Sequence, residues 1–337
     1  MGGDHAPEVT VAGALRAAGR FEIPVLLVGD QAKLESELRK HGPIPERIQI
    51  VHAPSAIEMD ESPGPALLRK RDASIIIATD LVQQGKAAAV VSAGNSGAAM
   101  GAATLRLGLL PGLDRPAIAM VMPNLRSGVI ALDVGATVDT CAEHLVDFAS
   151  IGSVYAHCLL HIERPRVALL NIGTETSKGN AVVKQAYPLL QNSDLNFVGF
   201  VEGQHIALGD ADVVVCDGFV GNAVLKTTEG YAELFWSMVK EAMASSLLAR
   251  IGGLLLGPAL RRTAQRLNYA SYGGALLVGV DGICIIGHGR SSPDAVANAI
   301  RAGSELAEAR VIDQLRAAIH AENSVPSKTE HPASSKL

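Results

Sequence analysis

Short runs of consecutive apolar residues alternate along this chain with longer stretches in which apolar positions recur every three or four residues. Val25 to Val28, Ile48 to Val51, Ala88 to Ser92, Ala117 to Met122, Val129 to Leu132, Arg166 to Asn171, Phe197 to Val201, Asp212 to Cys216 and Ile283 to Ile286 read as strands. Several are apolar at every position, as in strands covered on both faces. Helical spacing runs from Pro7 through Val11, Ala14, Leu15 and Ala18, over Leu34 and Leu38, and through Ser74 to Gln84 and Ala98 to Leu107. It continues at about Thr140 to Leu160, Ala181 to Leu190, Ala223 to Met243 and Pro293 to His320. Glu58 to Pro65 reads as a surface loop and Tyr272 to Gly282 as a glycine-rich segment. Strand, polar loop and helix in repeated succession predict an α/β protein: a doubly wound, three-layer αβα fold with its cleft at the carboxyl ends of the strands.

Beyond Met243 the pattern changes. Leu247, Leu248, Ile251, Leu254 and Leu255 make one apolar stripe with Arg250 off it, and Arg261, Arg262 and Arg266 follow the Gly257-Pro258 pair. Residues 245–268 therefore read as a helical hairpin broken at Gly257-Pro258. Two settings stay open, a buried core hairpin or an amphipathic element on a bilayer or a partner. The hairpin belongs to a single catalytic unit of two lobes, residues 1–322, and the Ser, Pro and Lys-rich residues 323–337 read as a disordered tail. The glycine loop Met1-Gly2-Gly3-Asp4-His5-Ala6-Pro7 is of a kind that ordinarily follows a strand. The expectation is an apolar strand, ending in an acid, before Met1 and beside the Val25 strand.

Composition narrows the function. Of 337 residues, 48% are apolar and 4% aromatic, and the net charge of -5 comes without basic clusters interleaved with aromatic residues, which argues against nucleic acid as the main partner. Cys141, Cys158, Cys216 and Cys284 lie far apart without a CxxC pair and read as reduced thiols of a cytoplasmic protein. No apolar run reaches the roughly 20 residues of a membrane span, so any membrane contact is peripheral.

The loops that close the strands carry the candidate chemistry. They are Ala93-Gly94-Asn95-Ser96-Gly97, Asp133-Val134-Gly135-Ala136, Ile172 to Asn180 with Thr174 and Lys178, Asp217 to Asn222, and Gly287-His288-Gly289-Arg290. The Walker loop, the complete dinucleotide fingerprint and the zinc-binding H-E-x-x-H helix are missing, so neither a cofactor nor a metal is expected. Gly94-Asn95-Ser96-Gly97-Ala98 approaches a nucleophile elbow but has Ala98 where the last glycine belongs. Asn, Ser, Thr and Gly with one lysine suit a small oxyanion, inorganic phosphate, held by backbone N–H groups and an ammonium.

Taken together, Met1 to Pro7, Ser92 to Ala98, Leu132 to Ala136, Asn171-Ile172-Gly173 with Lys178-Gly179-Asn180, and Asp217 to Asn222 with Tyr272 to Ala275 resemble the PlsX family over about residues 1–320. The resemblance implies transfer of a long acyl group from acyl carrier protein to inorganic phosphate for phospholipid synthesis. It also implies a homodimer, a fold like phosphate acetyltransferase and isopropylmalate dehydrogenase, and a soluble enzyme docking on the inner face of the cell membrane. A coenzyme A-dependent phosphate acetyl- or butyryltransferase is the competing reading. In either, Lys178 holds phosphate and developing charge, and Asn95, Ser96, Gly97, Thr174 and Asn222 surround phosphate or oxyanion. Asp4, His5, Asp133, Asp217 and His288 form a second polar ring, each with the alternative of a loop cap. Leu247, Ile251, Leu254, Leu255, Arg261 and Arg262 are the residues expected to meet membrane or carrier protein.

Overall fold

In the computed structural model, which describes residues 1–126, 128–267 and 273–323, each strand expected from an apolar run forms to within a residue or so at either end. They are β1 (Val25–Gly29), β2 (Ile48–His52), β3 (Ala89–Ser92), β4 (Ala117–Met122), β5 (Val129–Leu132), β6 (Val167–Leu170), β7 (Phe197–Val201), β8 (Val213–Val215) and β10 (Ile283–Ile286). An unexpected strand, β9 (Ala275–Val278), lies inside the glycine-rich segment. The helices are α1 (Glu8–Arg20), α2 (Gln31–Arg39), α3 (Pro63–Arg69), α4 (Ser74–Gln83), α5 (Ser96–Leu107), α6 (Ala142–Leu160), α7 (Ala181–Gln191), α8 (Gly203–Leu208), α9 (Gly218–Ala244), α10 (Leu247–Leu267), α11 (Pro293–Glu308) and α12 (Val311–Asn323).

An eight-stranded sheet of order β3-β10-β9-β4-β5-β8-β6-β7 runs through the protein, and β1 with β2 forms a separate parallel pair. Alternate residues of its central strands serve two cores. Ile130, Leu132, Leu169, Val213 and Val215 meet Leu145, Phe148 and Ile151 of α6 on one face. Ala131, Ala168 and Val214 meet Ile206 of α8 and Leu225 of α9 on the other. Each large apolar side chain so enclosed stabilises by about 1.5–3 kcal/mol. The approach of α6 depends on Gly152, where a Cβ would stand 2.5 Å from Val213 Cγ1.

The sheet departs from the parallel arrangement the loops implied. β3 and β10 are parallel, β9 is antiparallel to β10 and to β4, β4 is antiparallel to β5, and β5, β8, β6 and β7 are parallel to one another. The carboxyl ends of β3 and β10 therefore open on one edge of the sheet, and those of β5, β8 and β6 on the opposite edge. The hairpin also differs from expectation. It is built by α9 and α10 turning at Ser245 and Ser246, and α10 continues through Pro258. Proline there forfeits one N–H bond, to a turn whose Leu254 is exposed to water. Glu58 to Pro65 is not wholly a loop, because Pro63 opens α3. The last helical stretch is two helices, parted at Arg310 with φ +52°.

Candidate active site

The edge formed by β5, β8 and β6 brings three of the polar loops together, because these strands are neighbours. At its floor Asp133 is fully buried. One carboxylate oxygen accepts N–H bonds from Ile118, Gly135 and Ala136, and the other from Ala136 and, at 2.6 Å, from Thr137. Burial pushes this carboxyl up, with the backbone donors pulling it down. Its oxygens are committed to shaping the 133–137 turn, so the loop-cap alternative describes Asp133 better than contact with a substrate.

Against that turn stands the start of α9. Asp217 caps it, accepting from Val220 N–H at 2.8 Å, and the helix begins at Gly218 rather than at Ala223 as expected. Gly218 and Gly221, one turn apart, are required by close approach. A Cβ on Gly218 would lie 2.7 Å from Asp133 Oδ2, and one on Gly221 would collide with the Asp133 carbonyl. Asn222, one residue further on and exposed, lies beside Gly135, whose φ is +142°. Sequence reasoning took these glycines as a turn; the Asp-x-x-Val cap was the signal that the helix starts earlier.

The third loop follows β6. Glu175 and Lys178 fold over buried Gly173, where a Cβ would stand 2.6 Å from Glu175 Oε2 and 3.3 Å from Lys178 Cγ. Asn180 caps α7 through Val183 N–H, and Asn171 packs against Gly179, its Nδ2 buried without a partner among the described residues. Thr174 and Lys178 are exposed. An ammonium, a hydroxyl, an amide and the positive end of a 27-residue helix thus share one end of three adjacent strands, an arrangement suited to an oxyanion. Cys216, beneath them, is buried with its thiol pushed well up, which removes it as a nucleophile.

Asn95 is not part of this group within one chain. It follows β3, five strand spacings from β8, or about 24 Å across the sheet, and at the opposite edge. Its Oδ1 caps α5 through Ala98 N–H, while its Nδ2 reaches the carbonyls of Glu58, Met59 and Glu61. Both ends of the amide are therefore engaged. Ser96 is exposed beside it, and Gly97 admits Pro63 of α3, which a Cβ would meet at 2.6 Å. Asp4 and His5 lie at this edge too, with Asp4 N–H bonded to Gly289 O. Here His288 Nδ1 accepts from Arg290 N–H, and Arg290 reaches Glu233 of α9 at 4.0 Å.

The leucine stripe is on the outside. Leu247, Leu248, Leu254 and Leu255 are 76–83% exposed and Ile251 is 49%, so the buried-core setting for the hairpin does not hold. Gly253 packs on Met243 across the two helices. Arg250 is exposed; the side chains of Arg261 and Arg262 lie outside the described residues. Among those residues no helix is long and apolar enough to cross a membrane.

The family model described as "Fatty acid synthesis protein" matches residues 1–314. A "Phosphate acyltransferase" of Desulfitobacterium hafniense (strain Y51) is 50% identical over 317 residues, covering 94% of each chain. That of Gloeothece citriformis (strain PCC 7424) is 47% identical over 320 residues, covering 94% of this chain and 91% of its own. In fold, the chain is similar to EutD phosphotransacetylase from Staphylococcus aureus, with a TM-score of 0.59 at 19% identity over 89% of this chain and 92% of that one. A phosphotransacetylase from Streptococcus pyogenes aligns with a TM-score of 0.58 at 18% identity, over 90% and 91%. The phosphotransacetylase-like fold is thus borne out, and half-identity over nearly the whole length settles the kinship: the chain belongs to the PlsX family of phosphate acyltransferases.

Proposed function

We propose that this acyltransferase moves a long-chain fatty acyl group from acyl carrier protein to inorganic phosphate, forming acyl phosphate for phospholipid synthesis at the inner face of the cell membrane. Phosphate sits at the β5-β8-β6 edge, against Lys178, Thr174 and Asn222 at the start of α9. A phosphate oxygen attacks the thioester carbonyl, the C–S bond breaks, and the carrier thiolate leaves with the pair of electrons. Lys178 and the Asn222 amide offset the charge of the tetrahedral oxyanion. Phosphate is itself the nucleophile, so no covalent enzyme intermediate is needed. Asp133 and Asp217 shape this edge, while Asn95 and Gly97 fasten the other, beside Asp4, His5, Ser96 and His288.

The observation that carries the long-chain reading is the exposed leucine stripe of α10. A short acyl phosphate needs no such surface, whereas a long-chain product released into water exposes its tail at about 0.8 kcal/mol per CH₂. A second apolar stripe supports a homodimer. Tyr231, Leu234, Phe235 and Met238 of α9 are 52–68% exposed at i, i+3, i+4 and i+7, a spacing suited to the helix of a second copy. The test is donor preference. With phosphate saturating, kcat/KM for palmitoyl carrier protein should exceed that for palmitoyl coenzyme A by at least about a hundredfold, a difference of about 2.7 kcal/mol. Equal use of both thioesters, or preference for acetyl coenzyme A, would establish the coenzyme A reading instead.

A further inference from the structure

The turn that closes β6 carries two opposite charges on one short stretch of chain. Glu175 and Lys178 are exposed, and both side chains fold back over buried Gly173. A Cβ on Gly173 would meet Glu175 Oε2 at 2.6 Å and Lys178 Cγ at 3.3 Å, so glycine is what leaves room for the two of them. The turn is pinned at several points. Lys178 N–H donates to Glu175 O at 3.0 Å, and Asn171 Oδ1 accepts from Ile172 N–H at 2.9 Å. Gly179, with φ +97°, packs on the Asn171 amide, and Asn180 then caps α7.

The two side chains nevertheless do not neutralise each other. Among the described residues, neither the Glu175 carboxylate nor the Lys178 ammonium has a hydrogen-bond or ion-pair partner. A surface ion pair stabilises little, so leaving this one open costs little. The result is a cation and an acceptor-only carboxylate side by side, at the sheet edge where Thr174 and Asn222 also stand.

A carboxylate beside an anion site is unfavourable unless the anion brings a proton of its own. Inorganic phosphate does so near neutral pH, whereas sulfate, of the same shape, does not. We infer that Glu175 is a further catalytic residue of the acyl transfer: its carboxylate accepts the P–O–H hydrogen bond of the phosphate held by Lys178 and carries that proton to the departing sulfur. The inference rests on the placing of phosphate at the β5-β8-β6 edge. An unprotonated oxygen of monohydrogen phosphate attacks the thioester carbonyl and forms the C–O bond, and the C–S bond breaks with its electron pair going to sulfur. Acylation makes the remaining P–O–H more acidic and drives its proton onto Glu175, and the thiolate, the stronger base, takes it from there. The products are the acyl phosphate dianion and a neutral thiol, with Glu175 returned to its carboxylate.

The experiment compares the parent chain with Glu175→Gln, which keeps the shape but cannot take the proton, and with Lys178→Ala. The preferred thioester is held saturating, phosphate is varied, and sulfate is added as an inhibitor. In the parent, the sulfate inhibition constant should exceed the phosphate KM by at least about a hundredfold, since a site that hydrogen-bonds a substrate hydroxyl rejects an analogue lacking it. Glu175→Gln should keep its Tm, lower kcat by about a hundredfold and bring the two constants to within about tenfold of each other, because an amide donates where a carboxylate only accepts. A merely structural role would not relax the choice between the two anions. If Lys178→Ala raises the phosphate KM while Glu175→Gln keeps the parent's kcat and its rejection of sulfate, the site stands and the role of Glu175 is overturned. A lower kcat with sulfate still rejected overturns it as well. If neither variant moves the phosphate KM or the inhibition by sulfate, phosphate binds elsewhere, and the site falls together with the inference.

Discussion

Leu169 and Leu254 are the same residue in opposite circumstances. The first is fully buried in the central sheet beneath α6, and the second is 80% exposed on α10. Both lie in runs of apolar residues with comparable hydropathy along the sequence. Burial follows from what surrounds the run. β6 has strand neighbours on both sides and helices on both faces, whereas α10 has α9 on one side and solvent elsewhere. An apolar stripe held out in water is unfavourable for an isolated chain, so it marks a surface used by something else.

The contrast can be broken by truncating each leucine. Leu169→Ala should lower unfolding free energy by about 2–5 kcal/mol, through lost burial and a residual cavity. Leu254→Ala should stay within about 0.5 kcal/mol. Chemical denaturation of both variants measures this, and equal losses would mean that α10 is core after all.

Lys178 sharpens the comparison from a different side, being exposed like Leu254 but proposed to hold phosphate. Lys178→Ala should reduce kcat/KM by about a hundredfold and raise the phosphate requirement, with the denaturation midpoint unmoved. Unchanged kinetics would remove its assigned role.

A smaller loss of stability than at Leu169 belongs to a partly buried ion pair at the sheet's other edge. Asp212 accepts from Arg166 N–H, Nε and Nη2 at 2.8–3.0 Å. Burial raises its carboxyl pKa, but the bonds from Arg166 outweigh that and leave it below the ordinary carboxylate range. A depressed carboxyl contributes stability that is fully present above the unfolded pKa, about 3.9, and lost as pH falls through the lower folded value. Asp212→Asn should therefore cost about 1 kcal/mol at pH 7, reduced by the water that reaches the partly exposed Arg166 side of the pair, and the difference from the parent should shrink below about pH 4. A difference constant from pH 7 to pH 2 would refute the linkage.

Strand positions and the three candidate loops at the β5-β8-β6 edge were legible because continuous apolar runs and Gly/Asn/Asp turns are local signals. Strand direction was not. Nothing in Ala117–Met122 or Ala275–Val278 states which way the chain crosses the sheet, and one reversal between β4 and β5 moves Asn95 to the opposite edge from Lys178. Asn95 and Asp133 looked like ligands because the residues that bind oxyanions also cap turns, and only the positions of their partners separate the two uses. Pro63 and Pro258 misled in opposite ways, one opening a helix read as loop and the other standing inside a helix read as broken.

Delivery of acyl product to a bilayer through the hairpin is tested most directly by flotation with vesicles containing anionic lipid, comparing the parent chain with Leu254→Glu and Leu255→Glu combined. The double variant should keep its Tm and most of its activity on soluble carrier protein while losing vesicle binding by at least about a hundredfold, since two exposed apolar side chains that would enter the bilayer are replaced by charges. Vesicle binding that survives in the folded variant would contradict the assignment and place the membrane surface elsewhere.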